Sequence, residues 1–474
     1  MEAALPISAA VNPAKRPAKT VVAAAPSISL PLRFVVTGLV ALLTGVGWLV
    51  AQPSLLTTYH YNQNIVALTH LLVLGWIGSV VMGAMYQLVP VALETKLYSE
   101  RLAKWQFAFH LAGFVGMVWM FKTWNMKQVG HFGCVLAIGV GLFVYNLGRT
   151  LLRVRKWKVV ATAMAASLGW FSLTVLAGLS IAAGKSTYES LDGVAVTGGF
   201  RPLLDGLRAL GALMAHFDSL SAMHAHAHLG VVGLFTMLIV GVSYKLVPMF
   251  TLSEVQSQRR AKLSLLLLNA GLLGAFISIA LHSPWKFGFA LMVCTALGIY
   301  GWEIAAIVRA RERATLDCGL RSFLTASGML GPLCVLGLVL AWPRLPLNVF
   351  TGQLENLYGF LGLLGFVTFA ILGMLHKIIP FLVWYHSYSP QVGRAQVPTL
   401  AELYSERLQV AGYWSWLAGL VTTSAGILLQ NEIVARFGAA ALATTLGLFA
   451  LNFGKMFSHV FRPKLKPLAS PVAK

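Results

Sequence analysis

The chain alternates long apolar runs with short polar connections. A window of about twenty residues, the length of helix that crosses a bilayer, picks out twelve runs, at 34–52, 65–91, 103–121, 132–149, 159–183, 223–250, 263–281, 286–308, 322–342, 354–384, 408–429 and 436–456. Each run is continuously apolar rather than alternating over ten residues, which argues for helices and against a membrane β-barrel. The longest connections are 184–222 and 385–407, so no large soluble domain is left over. The pattern predicts an all-α integral membrane protein of twelve transmembrane helices: an N-terminal tail at 1–33, a membrane domain at 34–458 and a basic tail at 459–474. The first tail is rich in Ala, Pro and Lys and reads as disordered. It holds no short apolar stretch with a cleavage site, so the first run is expected to serve as an uncleaved anchor.

The apolar pattern repeats. Sliding the chain on itself by 158 residues brings His70 onto His228, Gly75 onto Gly233, Gly83 onto Gly241, Tyr86 onto Tyr244, and Leu88-Val89-Pro90 onto Leu246-Val247-Pro248. A third copy carries Gly365, Gly373, His376 and Pro380. After a longer loop, Leu403-Tyr404-Ser405-Glu406-Arg407-Leu408 is identical to Leu97-Tyr98-Ser99-Glu100-Arg101-Leu102. Three units of four helices in the same orientation account for the twelve runs. Parallel repeats are related by an axis along the membrane normal, so spans 2, 6 and 10 are expected to ring a common centre. The glycines are expected to let helices approach closely, and the terminal prolines to end or kink them.

Composition agrees: 57% of the 474 residues are hydrophobic, 11% are charged and the mean hydropathy is +0.74. The net charge of +21 would suit nucleic acid if it were clustered on a domain, but the basic residues stand between apolar runs. Counting span-end residues with their nearest connection, 26 fall on one side of the membrane and 8 on the other, with Lys245 and Lys377 inside spans. By the positive-inside rule the N- and C-termini are cytoplasmic. Lys245 and Lys377 are expected to reach the inner interface with their amines. Glu303 stands near the basic cluster at Arg309, and a surface ion pair is its default reading. The cysteines Cys134, Cys294, Cys318 and Cys334 show no paired spacing, which argues against a disulfide framework or a zinc site.

Polar rings inside apolar runs are costly and draw attention. His70 and His228 sit at repeat-equivalent depths, and His228 closes a triplet with His224 and His226. Residues i and i+4 share a helical face, so His224 and His228 can act together while His226 faces elsewhere. His282 lies in the turn between spans 7 and 8, on the same side of the membrane. Imidazole is the commonest metal ligand near neutral pH and an axial ligand of heme. The competing reading is a set of interhelical hydrogen bonds and a solvated helix start. His376, where the other copies have tyrosine, and His110 read as structural hydrogen-bond partners. His60, His131, His216, His386 and His459 fall in loops or span ends and carry no functional expectation.

On these features the chain resembles the heme-copper oxidase superfamily, that is, subunit I of respiratory oxidases and nitric-oxide reductases. That family has twelve spans, pseudo-threefold four-helix units and histidines at the outer ends of spans 2, 6 and 10. The resemblance implies heme, with copper as a further cofactor. It assigns cofactor binding to His70, at the place of the low-spin heme ligand, and to His228, at the place of the span 6 copper ligand. His224, His228 and His282 would make a metal group, His282 standing where the family has a His-His pair but followed here by Ser283. Span 10 departs from the pattern: its outer end has no histidine, and Phe360 fills the slot of His70 and His228. The chain therefore reads as a divergent member.

The implied function is a heme-binding membrane redox protein of the bacterial inner membrane, an oxidoreductase in respiratory electron transfer or O2/NO chemistry, with a cytochrome c-type protein or another membrane subunit as partner. One alternative is a non-catalytic subunit or an assembly or stress-response factor that keeps the fold without a working binuclear centre. Another is a metal or heme transporter, which parallel repeats and peripheral histidines disfavour.

Overall fold

The computed structural model describes residues 28–190 and 217–466, with 205, 206 and 209 between them. These residues form helices and turns, with no β-strand among them. The long helices are α1 (Ser29–Ala51), α2 (Gln63–Ala92), α3 (Glu100–Lys122), α4 (Met126–Leu151), α5 (Val159–Lys185), α6 (Ser219–Thr251), α7 (Gln258–Ala280), α8 (Lys286–Arg309), α9 (Cys318–Ala341), α10 (Val349–Ser387), α11 (Glu406–Leu428) and α12 (Glu432–Phe461). Ten of them are long and apolar enough to cross a membrane. The other two, α3 and α11, have 23 residues each, but Gln106 and His110 in one and Gln409 and Ser415 in the other dilute their apolar content. Residues 29–33, expected in the N-terminal tail, are helical, and α12 runs past the expected boundary at 458. Residues 1–27 and 467–474 of the two tails, and most of the 184–222 connection with His216, lie outside the described residues.

Burial locates the centre. In α2, α6 and α10 the apolar windows are 61%, 72% and 78% buried, against 17–44% in the other seven candidate spans. The remaining helices pack largely in sequential pairs around them: α1 on α2, α5 on α6, α9 on α10, and the hairpins α3–α4, α7–α8 and α11–α12.

Three features recur at the positions the internal repeat equates. The first is close approach without a side chain. A Cβ on Gly83 would lie 2.6 Å from Phe34 Cβ of α1, one on Gly241 would lie 2.1 Å from Ala163 Cβ of α5, and one on Gly373 would lie 2.7 Å from the Gly319 carbonyl of α9. The second is a widened, π-helical turn at Leu71–Gly78, Leu229–Thr236 and Leu361–Thr368, starting one residue after His70, His228 and Phe360. Such turns free a backbone bond and re-aim side chains, and they are frequent at functional sites. The widened turn of α10 touches those of α2 and α6, and Trp76 Nε1 donates to Thr368 Oγ1 at 2.9 Å.

The third feature explains the repeated Leu-Tyr-Ser-Glu-Arg-Leu hexapeptide. Its serine stands at the N-cap of the following helix, with a side-chain cap bond from Leu102 N at Ser99 and none at Ser405, and is gripped through its backbone by the helix after that. Ser99 N donates to Asn146 Oδ1 (3.0 Å) while Asn146 Nδ2 donates to Ser99 O (2.7 Å). The same pair of bonds joins Ser405 to Asn452 at 2.8 and 3.1 Å. In the middle copy Glu303 takes the role, accepting from Ser257 N at 2.8 Å and pairing with Arg260 at 2.6 Å. Glu303 is therefore fully buried and bound to Arg260, not in a surface pair with Arg309. Lys245 is exposed, and Lys377 pairs with Asp317 at the start of α9 and lies over the Phe250 ring. All four cysteines are free thiols.

Candidate functional site

The three central helices begin at the same end of the bundle, each on a side-chain cap. Asn62 accepts from Asn64 N, Asp218 from Ser221 N and Asn348 from Thr351 N. Such caps satisfy backbone donors that the helix leaves unpaired. From cap to widened turn, the lead-in is 8 residues in α2, 10 in α6 and 12 in α10. The longer lead-ins carry His224 and Glu355 beyond the level of His70.

His70 and His228 are held alike. Each ring donates from Nδ1 to the carbonyl one turn earlier, Val66 at 2.8 Å and His224 at 2.7 Å. This fixes the tautomer and leaves Nε2 as the free lone pair, the arrangement in which a second bond orients an imidazole for an axial or metal ligand. The His70 ring lies 4.4 Å from Phe121, and its Nε2 makes no hydrogen bond among the described residues. His228 stacks on Tyr358, ring centroids 5.9 Å apart, with Nε2 3.5 Å from the phenol oxygen. Both rings thus present an unprotonated Nε2, without a hydrogen bond at His70 and facing the Tyr358 hydroxyl at His228, which is the donor chemistry a heme iron requires. The third slot does not: Phe360 is buried there at 7% exposure.

A second group lies beyond these rings. Gln353 Nε2 donates to the Thr57 carbonyl (3.0 Å) and Asn356 Nδ2 to that of Thr58 (2.8 Å), so the first turns of α10 fix the segment between α1 and α2. That segment carries His60 to His224 and Glu355. His60 Nε2 is 2.9 Å from His224 Nε2, and His60 Nδ1 is 3.6 Å from Glu355 Oε2. One donor atom from each of the three can be chosen so that all lie within 4.8 Å of one another. Burial pushes the His60 imidazole below its ordinary value, so the ring is neutral near pH 7.

The expected metal group is not assembled as drawn from the sequence. His224 turns to His60, and His228 to Tyr358. His282 sits on the α6 cap, with Nε2 2.7 Å from Ser221 Oγ and 3.8 Å from Asp218. The turn between α7 and α8 is too short to carry its ring further along α6 than that first turn. His226 faces away, as expected, onto Gly178 of α5, where a Cβ would lie 2.9 Å from the ring. His110 is a buried structural contact, with Nε2 2.9 Å from Ser79 Oγ. His376 makes no such bond: its Nδ1 is buried without a partner, and the ring packs on Phe449.

His60 was invisible in the pattern because it stands in an irregular loop. The only available signal was that Tyr59-His60-Tyr61 precedes span 2 on the side where His224 begins span 6. Glu355, in the half-polar stretch before Phe360, offered still less.

Residues 19–127 match the family model of cytochrome c and quinol oxidase polypeptide I. That is under a quarter of the chain; it spans α1 to α3 with His60 and His70, and stops before His224. No curated protein matches the sequence. The match supports membership of the heme-copper oxidase superfamily.

Proposed function

We propose, with membership of the heme-copper oxidase superfamily as the premise, that this chain is a heme-binding membrane redox protein. It would act in respiratory electron transfer or in the chemistry of a diatomic gas, O2 or NO. His70 would hold heme iron through Nε2, and His228, its counterpart in α6, would be the second ligand. The observation that carries the reading is their shared anchorage: two imidazoles at repeat-equivalent positions, each fixed through Nδ1 to the preceding turn and each just before a widened turn. When bound, heme supplies a reversible one-electron centre and an iron that takes a diatomic ligand. The protein's part is to fix ring tautomer and orientation and to exclude water with the apolar surroundings of the widened turns. The biased Lys/Arg distribution supports cytoplasmic termini in a bacterial inner membrane, where a cytochrome c-type donor or a further membrane subunit would deliver electrons.

A second reading, a non-catalytic subunit or an assembly factor, is favoured by one observation, the buried Phe360 in the slot where a third ligand would stand. The absorption spectrum of the chain, purified from cells supplied with heme precursor, separates the two. A Soret band that shifts on dithionite reduction is expected. Protein without heme absorption would support the second reading.

A further inference from the structure

We propose that His60, His224 and Glu355 form a binding site for a divalent transition-metal ion, distinct from any heme held by His70 or His228. The three come from three separate elements: the segment before α2, the lead-in of α6 and the lead-in of α10. Each offers a donor of the right kind, two imidazoles and one carboxylate. Two-His-one-carboxylate sets suit zinc and non-heme iron(II), while calcium and magnesium prefer all-oxygen sites.

The spacing supports ligation over a purely structural role. Two ligands about 2.1 Å from one ion, at a tetrahedral angle, stand about 3.4 Å apart. His60 Nδ1 and Glu355 Oε2 are 3.6 Å apart, too far for a hydrogen bond, and His60 Nδ1 is buried with no hydrogen-bond partner. His224 Nε2 lies 2.9 Å from the other ring nitrogen of His60, Nε2, a hydrogen bond in this structure, and one donor atom from each of the three residues lies within 4.8 Å of the others. A buried ring nitrogen facing a carboxylate at ligand spacing, without a hydrogen bond of good geometry, is a polar group that an ion between the two would satisfy.

The group is braced from outside. Asn356 and Gln353 fix the backbone carrying His60, and the Asp218 cap fixes the start of the helix carrying His224. The side chains are 17% and 24% exposed at His60 and Glu355, so an ion can enter from the helix-start side and keep an open coordination position for water or a small ligand. Lys286 adds positive charge nearby, which the single carboxylate offsets. The two imidazoles then make this a nitrogen-rich site rather than a simple anionic one. The ion would also tie the ends of α6 and α10 to the segment between α1 and α2.

The inference does not rest on the heme reading. Its test uses the full chain in detergent, stripped with a chelator and dialysed against micromolar Zn2+, with bound zinc counted by elemental analysis and the Soret region recorded in parallel. One zinc per chain is expected, with affinity at least tenfold weaker in His60→Ala and in Glu355→Gln and unchanged in His131→Ala. Zinc should raise the unfolding temperature of the wild type and of neither site variant. Glu355→Gln keeps the side chain's shape, so it remains informative if His60→Ala folds poorly. Wild type that retains no zinc, zinc retained equally by both site variants, or loss in His282→Ala with retention in His60→Ala would overturn the site. Unchanged heme absorption in the site variants would separate this outcome from a failure of the heme reading.

Discussion

His226 and Gly178 show at the scale of single residues what an apolar histidine requires. The ring occupies the space that a side chain at position 178 would need, and its Nδ1 is buried without a partner. Valine at 178 should therefore overpack the α5–α6 contact and lower stability by about 1–3 kcal/mol. His226→Ala in the same chain should restore most of the loss, read as unfolding midpoints in detergent; equal midpoints in Gly178→Val and wild type would contradict the contact. The opposite facing of His226 and His228 was legible in the sequence, because two residues along a helix turn a side chain to the other face. The partnership of His60, His224 and Glu355 was not. Helical periodicity says nothing about a loop residue, and His60 is placed by amides of α10 nearly three hundred residues away. His376 failed for a related reason. Its equivalents Tyr86 and Tyr244 reach Gln106 and Ser264 on the next helix, but the matching position is Gly412, so the imidazole has nothing to bond.

At the scale of elements, the hexapeptide repeat was plain in the sequence while its purpose was not. The groups that answer Ser99 and Ser405 stand 47 residues downstream in both copies, and only folding brings them back. Asn146 and Asn452 each satisfy a backbone N–H and a carbonyl in a buried place. Replacing either by alanine should leave these groups unpaired at a cost of about 2 kcal/mol, seen as a lower unfolding midpoint; an unchanged midpoint would mean that water takes over both bonds. The widened turns were hidden for another reason: in a wholly apolar stretch, a turn of α-helix and a π-helical turn present the same composition. Between α10 and α11 a short turn is held by Glu402, whose carboxylate accepts from Thr399 N and Oγ1 at 3.1 and 2.7 Å. Those hydrogen bonds hold the Glu402 carboxyl below its ordinary value. A group depressed in this way contributes stability above its unfolded value and loses it as pH falls through the folded one. Corrected hydrogen exchange in the 399–403 turn should therefore speed up on acidification below about pH 4.5. Glu402→Gln should flatten that dependence, since its amide still accepts; an identical pH profile in the variant would contradict the capping role.

For the whole molecule, the apolar runs foretold an all-helical membrane protein, and ten helices long and apolar enough to cross a bilayer are present among the described residues. The central place of α2, α6 and α10 was also legible, because the internal repeat equates them and their burial sets them apart. The chemistry was harder to read at this scale. The family match ends near the start of α4, and the third slot at the common centre holds phenylalanine. The central claim is therefore that two of the three equivalent slots bind heme, and the heme-to-chain ratio across slot variants tests it most directly. With pyridine-hemochrome absorbance as the measure, wild type and His282→Ala should carry heme, His70→Ala should lose the bound heme that its Nε2 ligates, and His228→Ala should lose heme or show an altered spectrum. Heme-free wild type, or the same heme content and spectrum in all four proteins, would contradict the account.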